Sequence, residues 1–356
     1  MSSLRKPKLL VAISGGVDSA VAAALLVDAG FDVVAGTMVV SEGPESSETL
    51  GAATAVARQL GLPFHAFHIE SDFERLVINE FLEEYRRGRT PNPCIRCNIA
   101  VKFGILVDAA RRLGAEGLAT GHYARLDVRG GRRVLRRAAH GEKDQSYFLA
   151  GLDQEQLGSA RFPLGDLTKA EVRARAAELG LEAAGRAESQ EVCFVADDDY
   201  GRFVATRTGA CEPGPIFSMA GEILGQHHGL IHYTVGQRRG LGIAAPRPYY
   251  VVRVDAARNA LVVGGEADTY CQRLWARSVN WCSIARPEGP IRSLAQIRYR
   301  HKATPALVVP QGEGIEVVFD VPLRSVAPGQ WVVLYDEAGY ALAAGAIDAF
   351  ESACKG

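Results

Sequence analysis

The run Ser14-Gly15-Gly16-Val17-Asp18-Ser19 has the residue types to hold phosphate. It follows Leu9-Leu10-Val11-Ala12-Ile13, a short apolar stretch after a Lys/Pro cluster, which reads as a buried strand. The small residues from Ala20 to Ala24, then Leu25 and Leu26, read as a helix. Strand, glycine-serine loop and helix together aim backbone N–H groups and a positive helix end at one spot, which suits an anion. Glycines let the backbone approach closely, and Ser14 and Ser19 add hydroxyl donors. No Gly-Lys-Ser/Thr follows, so the loop is not a Walker loop. The third glycine of a dinucleotide fingerprint is also missing.

A second reactive constellation is Arg89-Thr90-Pro91-Asn92-Pro93-Cys94-Ile95-Arg96-Cys97-Asn98. The two prolines predict an extended approach, with a helix starting near Asn98. Cysteines near a helix N-terminus and beside arginines are expected to have lowered thiol pKa values, making them reactive or metal-binding. The same spacing suits a zinc half-site or two core thiols. A four-cysteine zinc site needs a second C-x-x-C, which the chain lacks. A third segment, Glu188-Ser189-Gln190-Glu191-Val192-Cys193-Phe194-Val195, gains meaning only if Cys193 partners Cys97. On its own, a cysteine in such an apolar setting is ordinarily a core residue.

These residues need a scaffold. Strand-like stretches at 9–13, 33–40, 64–69 and 117–119 alternate with helix-like ones at 19–29, 48–60, 72–87, 99–113 and 169–179. That alternation predicts an α/β unit with a parallel sheet and helices on both faces. The phosphate loop then lies at the carboxyl end of the first strand, where such sheets bind ligands. The polar stretch 41–49 is expected to be a mobile loop over a nucleotide. After about Tyr200, Gly and Pro become frequent and long helical periodicity disappears. From Cys271 onward short β-type runs at 279–281, 291–299, 306–309, 314–319, 330–335 and 341–347 predict a small barrel or sandwich. The expected domains are 1–200 (catalytic), 201–270 (a small Gly-rich, β-containing centre) and 271–356 (a β-barrel).

Composition sets limits. The chain has 356 residues, 47% hydrophobic and 23% charged, which is ordinary for a globular protein of two or three domains. No apolar run is long enough to span a bilayer, and no signal-peptide pattern follows the N-terminal basic residues, so a cytoplasmic protein is expected. The net charge of −1 excludes a global basic bias but leaves room for local nucleic-acid patches, such as Arg132, Arg133, Arg136 and Arg137. Seven cysteines, an odd number, argue against a disulfide framework. Cys211, Cys271, Cys282 and Cys354 are expected at packing or surface positions.

The loop resembles the pyrophosphate loop of ATP pyrophosphatases, the adenine nucleotide alpha hydrolase-like fold. The three segments together resemble the bacterial tRNA-specific 2-thiouridylase family. Further similar segments are Thr120-Gly121-His122-Tyr123-Ala124-Arg125, Lys143-Asp144-Gln145-Ser146-Tyr147-Phe148-Leu149, Phe162-Pro163-Leu164-Gly165, the run GLIHYTVGQRRGL from Gly229, Ile297-Arg298-Tyr299-Arg300 and Pro328-Gly329-Gln330.

The resemblance implies ATP-dependent conversion of the 2-oxo group of a wobble uridine in tRNA to a 2-thio group. ATP adenylates that oxygen, and sulfur then displaces AMP. It implies that Ala12, Ile13, Ser14, Gly15, Gly16, Val17, Asp18 and Ser19 hold the phosphates with Mg2+, and that Met38 and Gly121 touch the nucleotide. Cys193 would carry a persulfide received from an upstream donor, such as a cysteine desulfurase or sulfur carrier. Cys97 would attack the activated carbon or resolve the persulfide through a transient disulfide. His122, Lys143, Asp144, Gln145, Arg298, Tyr299, Arg300 and Gln330 match positions that contact the anticodon stem-loop. His122 also reads as a satisfied core or turn histidine.

The chain departs from the family at Cys94, where many members have aspartate. That removes a candidate proton carrier and adds a soft ligand. Cys94, Cys97 and Cys193 could then hold a [4Fe-4S] cluster with one open iron, an alternative to the persulfide. Two other classes remain alongside: a different pyrophosphate-loop ligase, and a non-enzymatic metal- or RNA-binding module. The first gives no reason for the Cys97–Cys193 pair. The second leaves the loop at Ser14 to Ser19 unexplained.

Overall fold

The computed structural model describes residues 6–185, 192–195, 199–209 and 212–352. Its N-terminal part is a parallel sheet. β1 (Lys8–Ala12), β2 (Asp32–Val39), β3 (Phe64–His68) and β4 (Gly117–Ala119) are followed by the hairpin strands β5 (Ala124–Arg129) and β6 (Arg132–Arg137) and the short β7 (Ala160–Arg161). The main sheet has the order β3-β2-β1-β4-β7, with every pairing parallel.

Both faces of that sheet are covered, as expected. Leu9 and Val11 point into a core shared with α1 (Val17–Asp28), α2 (Pro44–Gln59) and, further along the chain, the helix Lys169–Glu178. Leu10, one step out of phase, points the other way, onto Phe103, Leu106, Val107 and Ala110. A strand turns successive side chains to opposite faces, so one pentapeptide serves two cores.

Two helices differ from expectation. α2 begins at Pro44, so only part of the polar stretch 41–49 is loop. Proline at the first helical position costs no hydrogen bond and has the required φ. The same logic starts α5 at Pro93, earlier than the expected start near Asn98. Before it, α3 (Glu70–Phe73), a π-helical stretch (Glu74–Ile78) and α4 (Asn79–Arg86) run consecutively. After α5 (Pro93–Arg96), a second π-helical stretch (Cys97–Leu106) leads into α6 (Val107–Arg112). Next come α7 (Ser146–Leu149), α8 (Gln154–Ser159), α9 (Lys169–Glu178) and α10 (Tyr200–Thr208).

β8 (Gly214–Ser218), β9 (Ile223–His227), β10 (Tyr250–Asp255) and β11 (Ala260–Gly264) form a separate sheet in the order β10-β11-β8-β9. The remaining strands are β12 (Tyr270–Asn280), β13 (Ile291–Gln296), β14 (Thr304–Gln311), β15 (Gly314–Arg324), β16 (Trp331–Tyr335) and β17 (Ala341–Ser352). They close a barrel in the order β12-β15-β14-β13-β16-β17. The barrel has its own core, from Leu274 to Phe319 and Ile347. Its outer residues Val333, Tyr335 and Ala341 join the second core of the parallel sheet, so barrel and sheet share buried surface. Among the described residues no helix is long and apolar enough to cross a membrane.

Candidate functional site

The phosphate loop has the geometry its sequence predicts. Gly15 sits at φ +76°, and a Cβ there would run into Ala52. Gly16 is the extended N-cap of α1 and supplies no side-chain cap, so the first N–H groups of that helix are left for an anion. Ser19 ties the turn: its hydroxyl donates to the Gly16 carbonyl (3.0 Å) and accepts from the Ser14 N–H (3.2 Å). Ile13 donates to the Gly36 carbonyl at 2.8 Å, fixing the approach to the loop. Gly121, two residues past the end of β4, packs against the loop so tightly that a Cβ would lie 2.8 Å from the Ser19 nitrogen.

Asp18 has two partners that sequence reasoning missed. Lys169 places its ammonium 2.7 and 2.9 Å from the two carboxylate oxygens. Tyr123 donates its hydroxyl to the same carboxylate at 2.8 Å. Lys169 is the first residue of α9, whose Thr168 and Glu171 form a capping box. The Thr-x-x-Glu signature was legible as a helix start, but nothing in it says that Lys169 reaches Asp18 of α1.

The cysteines form the second half of the site. Cys94 lies in the first turn of α5 and Cys97 opens the π-helical stretch. Cys97 is buried among Phe73, Val77, Phe81 and Val101, while Cys94 and Cys193 reach solvent. Phe194 anchors the Cys193 turn in that same apolar cluster, edge-on to Phe81 (5.4 Å) and Phe73 (5.8 Å). Met38, Val40, Phe67 and Ile69, at the carboxyl ends of β2 and β3, belong to the cluster too. Phosphate loop and cysteine pocket therefore open at the same edge of the sheet. Glu188 to Glu191 of the third motif lie outside the described residues, as do Cys211 and Cys354.

The expected lowering of the thiol pKa values is overturned. Desolvation pushes Cys97 up to about 12 and Cys94 up to about 11, and raises Cys193 as well. Cys94 and Cys193 keep some solvent contact, but dense protein around their sulfurs sets the direction. Arg96 gives no relief, because its guanidinium pairs with Glu80 (2.7 Å) and the Leu76 carbonyl (3.2 Å). The cation that does act on all three thiols is Lys102. Among the described residues no three His, Cys, Asp or Glu side chains are grouped to hold a single metal ion.

Residues expected to meet RNA fall into two groups. Arg298 and Arg300 are exposed beside the half-buried Tyr299, which packs on Phe148 at 4.4 Å. Asp144, by contrast, is buried and occupied. It accepts from the N–H of Ala138 and the N–H and hydroxyl of Ser146, and pairs with Arg137 at 3.0 Å. Gln145 accepts the Tyr123 N–H (3.0 Å), and Lys143 precedes that turn. His122 bonds Thr120 at 2.7 Å, and burial holds its pKa well below the usual value, so it is neutral. Gln330 donates to the Thr90 carbonyl at 2.8 Å, tying the barrel to the cysteine loop. Cys271 and Cys282 are buried in packing positions.

A parallel α/β sheet with this loop at its first strand-to-helix crossing, followed by a closed barrel, defines a HUP-domain protein of the pyrophosphate-loop class. Models described as "tRNA methyl transferase HUP domain", "tRNA methyl transferase PRC-barrel domain" and "Aminomethyltransferase beta-barrel domain" match residues 7–197, 201–265 and 271–346. A tRNA-specific 2-thiouridylase of Acetivibrio thermocellus is 45% identical over 94% of this chain and 97% of that protein. Another, from Pelotomaculum thermopropionicum, is 46% identical over 93% and 95%. The chain belongs to the tRNA-specific 2-thiouridylase family. Among solved structures, the U34-tRNA thiolase NcsA of Methanococcus maripaludis with its [4Fe-4S] cluster is similar at a TM-score of 0.36. It is 18% identical, over 54% of this chain and 63% of that one, a likeness too slight to bear on residues here.

Proposed function

We propose that the protein thiolates the 2-position of a tRNA wobble uridine at the expense of ATP, by a persulfide route. The observation that supports it best is that Cys97 lies in an apolar cluster which Phe194, the neighbour of Cys193, also joins, at the sheet edge that also bears the phosphate loop. A ligase of another kind has no use for that pair.

ATP binds with its phosphates against residues 12–19, beside Met38 and Gly121. Asp18 already accepts a cation, the Lys169 ammonium, so its carboxylate fits magnesium in exchange; that ion would offset phosphate charge. The uridine 2-oxygen attacks the α-phosphorus and pyrophosphate leaves. The terminal sulfur of a Cys193 persulfide attacks C2 and AMP leaves with the oxygen. Cys97 thiolate then attacks the Cys193 sulfur. The S–S bond breaks, the terminal sulfur stays on C2 as thiocarbonyl, and a Cys97–Cys193 disulfide forms. A dithiol reductant restores both thiols before a desulfurase or sulfur carrier reloads Cys193.

The target base must be unstacked to enter. Arg298, Tyr299 and Arg300 offer charge and a ring for the anticodon loop, and His122, Lys143 and Gln330 are the further residues proposed to contact it. Asp144 and Gln145 shape the turn beneath them rather than present free groups. The domain division proposed is 1–200, 201–270 and 271–356.

The test is mass spectrometry of tRNA nucleosides after incubation with ATP, magnesium, a desulfurase, cysteine and dithiothreitol. Thiouridine with matching AMP is expected from wild type and none from Cys97→Ser. Wild type without RNA-stimulated AMP release would overturn the reading. About four irons per anaerobically purified chain, lost in Cys94→Ala, would replace the persulfide by a cluster.

A further inference from the structure

Lys102 lies five residues after Cys97, within the π-helical stretch Cys97–Leu106. In an α-helix those positions would stand about 140° apart around the axis. The i→i+5 pairing of a π-helix instead brings residue i+5 back over residue i, so Lys102 shares the face of Cys97. The wider winding therefore sets Lys102 on the Cys97 side of the helix, where α-helical winding would set it aside.

The ammonium is half-buried and, among the described residues, has no carboxylate at ion-pair distance. Glu80 is paired with Arg96, and Glu84 with Arg89 and Arg277. The groups that feel its charge are Cys94, Cys97, Cys193 and the neutral His122. Among the described residues, the groups whose charge acts on Cys97 are Lys102, Cys193 and Cys94, and Lys102 is the positive one.

We propose that Lys102 is the positioning cation of the sulfur chemistry, the group that stabilises a sulfur anion in this desolvated pocket and steers it toward its electrophile. Desolvation alone would leave these thiols inert, and the arginines of the motif are engaged elsewhere. An unpaired ammonium is strongest where water is scarce, which is the setting the pocket provides. The proposal rests on the thiolation reading for its purpose, but not for its test.

The test is the alkylation rate of each cysteine by iodoacetamide between pH 7 and 11, read by peptide mass spectrometry on the full chain without ATP or tRNA. In Lys102→Met the rates at Cys97 and Cys193 are expected to fall about tenfold near pH 9, with the profiles displaced to higher pH. Lys102→Arg should restore them. Lys102→Gln, which keeps a polar end, should behave as Lys102→Met and serves if the methionine variant fails to fold. Wild-type profiles in a folded neutral variant would overturn the proposal. A wild-type enzyme that makes no thiouridine would overturn the function instead, leaving the alkylation result intact.

Discussion

Lys169 and Asp18, 151 residues apart, form a two-pronged ion pair at the mouth of the phosphate loop. The pair is partly screened from solvent, with the lysine side chain 13% and the aspartate side chain 33% exposed. Without nucleotide the lysine keeps a positive charge at the helix end proposed to receive phosphate. Lys169→Ala should therefore lower RNA-stimulated AMP release by about a hundredfold. Its cost in stability should be only about 1–2 kcal/mol, because Asp18 keeps the Tyr123 hydroxyl and some water. Asp18→Ala should abolish ATP consumption while the protein still unfolds cooperatively in urea. Normal turnover in either variant removes the pair from the phosphate site.

On the proposed route the two cysteines separate the two half-reactions: adenylation would need the loop, and sulfur transfer would need Cys97 and Cys193. In Cys97→Ser and Cys193→Ser, tRNA-dependent release of pyrophosphate should persist in a single turnover, while thiouridine falls below detection. Cys94→Ala should retain thiouridine formation within about threefold, since the persulfide route gives Cys94 no bond to make. Quench-flow with labelled ATP distinguishes these outcomes. Loss of the pyrophosphate burst in Cys193→Ser would mean that the sulfur is needed before adenylation.

Alkaline pH should destabilise the protein through its buried thiols. Cys97 and Cys271 are raised to about 12, and Cys282 to about 11, all chiefly by desolvation. An unfolded thiol ionises near about 8.5. The folded values are the higher ones, so this stabilising term is complete below about pH 8.5. It is lost as pH climbs toward the folded values, because the unfolded chain sheds protons first. Each thiol contributes a slope of about 1.4 kcal/mol per pH unit in that window. Urea titrations at pH 8, 9 and 10 should show a shallower decline for Cys97→Ala than for wild type. Parallel declines would place the Cys97 thiol near its ordinary pKa.

What could be read from sequence was local and repetitive. The loop, β1 and β4 were legible because short apolar runs meet glycine at fixed places. β12 was not, because bulges near Arg273 and Ala276 break its two-residue alternation. The hairpin of β5 and β6 was missed although its signal was present: Gly130-Gly131, both at positive φ, join two short runs crowded with arginine. The thiols were misjudged for a different reason. Sequence places Arg96 beside Cys94 and Cys97, but only the fold shows that its charge points to Glu80 and that apolar rings enclose Cys97. Lys169 and Gln330 depend on contacts between distant segments, which no motif encodes.

The barrel holds the cysteine loop, and Gly329 is where that contact can be broken. Thr90 donates its N–H to the Pro328 carbonyl (2.8 Å) and accepts from Gln330 through its own carbonyl (2.8 Å). Arg89 alongside bonds Asp348 and the Ile347 carbonyl of β17, each at 2.9 Å. Gly329 lies between them at φ +91°, and a Cβ there would sit 2.9 Å from the Thr90 nitrogen and carbonyl carbon. Gly329→Ala therefore meets both backbone strain and a collision with backbone that cannot rotate aside. It should cost about 1–3 kcal/mol and displace the chain four residues before Cys94. Gln330→Ala removes one hydrogen bond without the collision and should cost about 1 kcal/mol. If the clamp sets the cysteine geometry, thiouridine formation should fall more than pyrophosphate release in Gly329→Ala, with Gln330→Ala intermediate. Equal losses in both half-reactions would mean that the barrel contact stabilises the fold without aligning the sulfur chemistry.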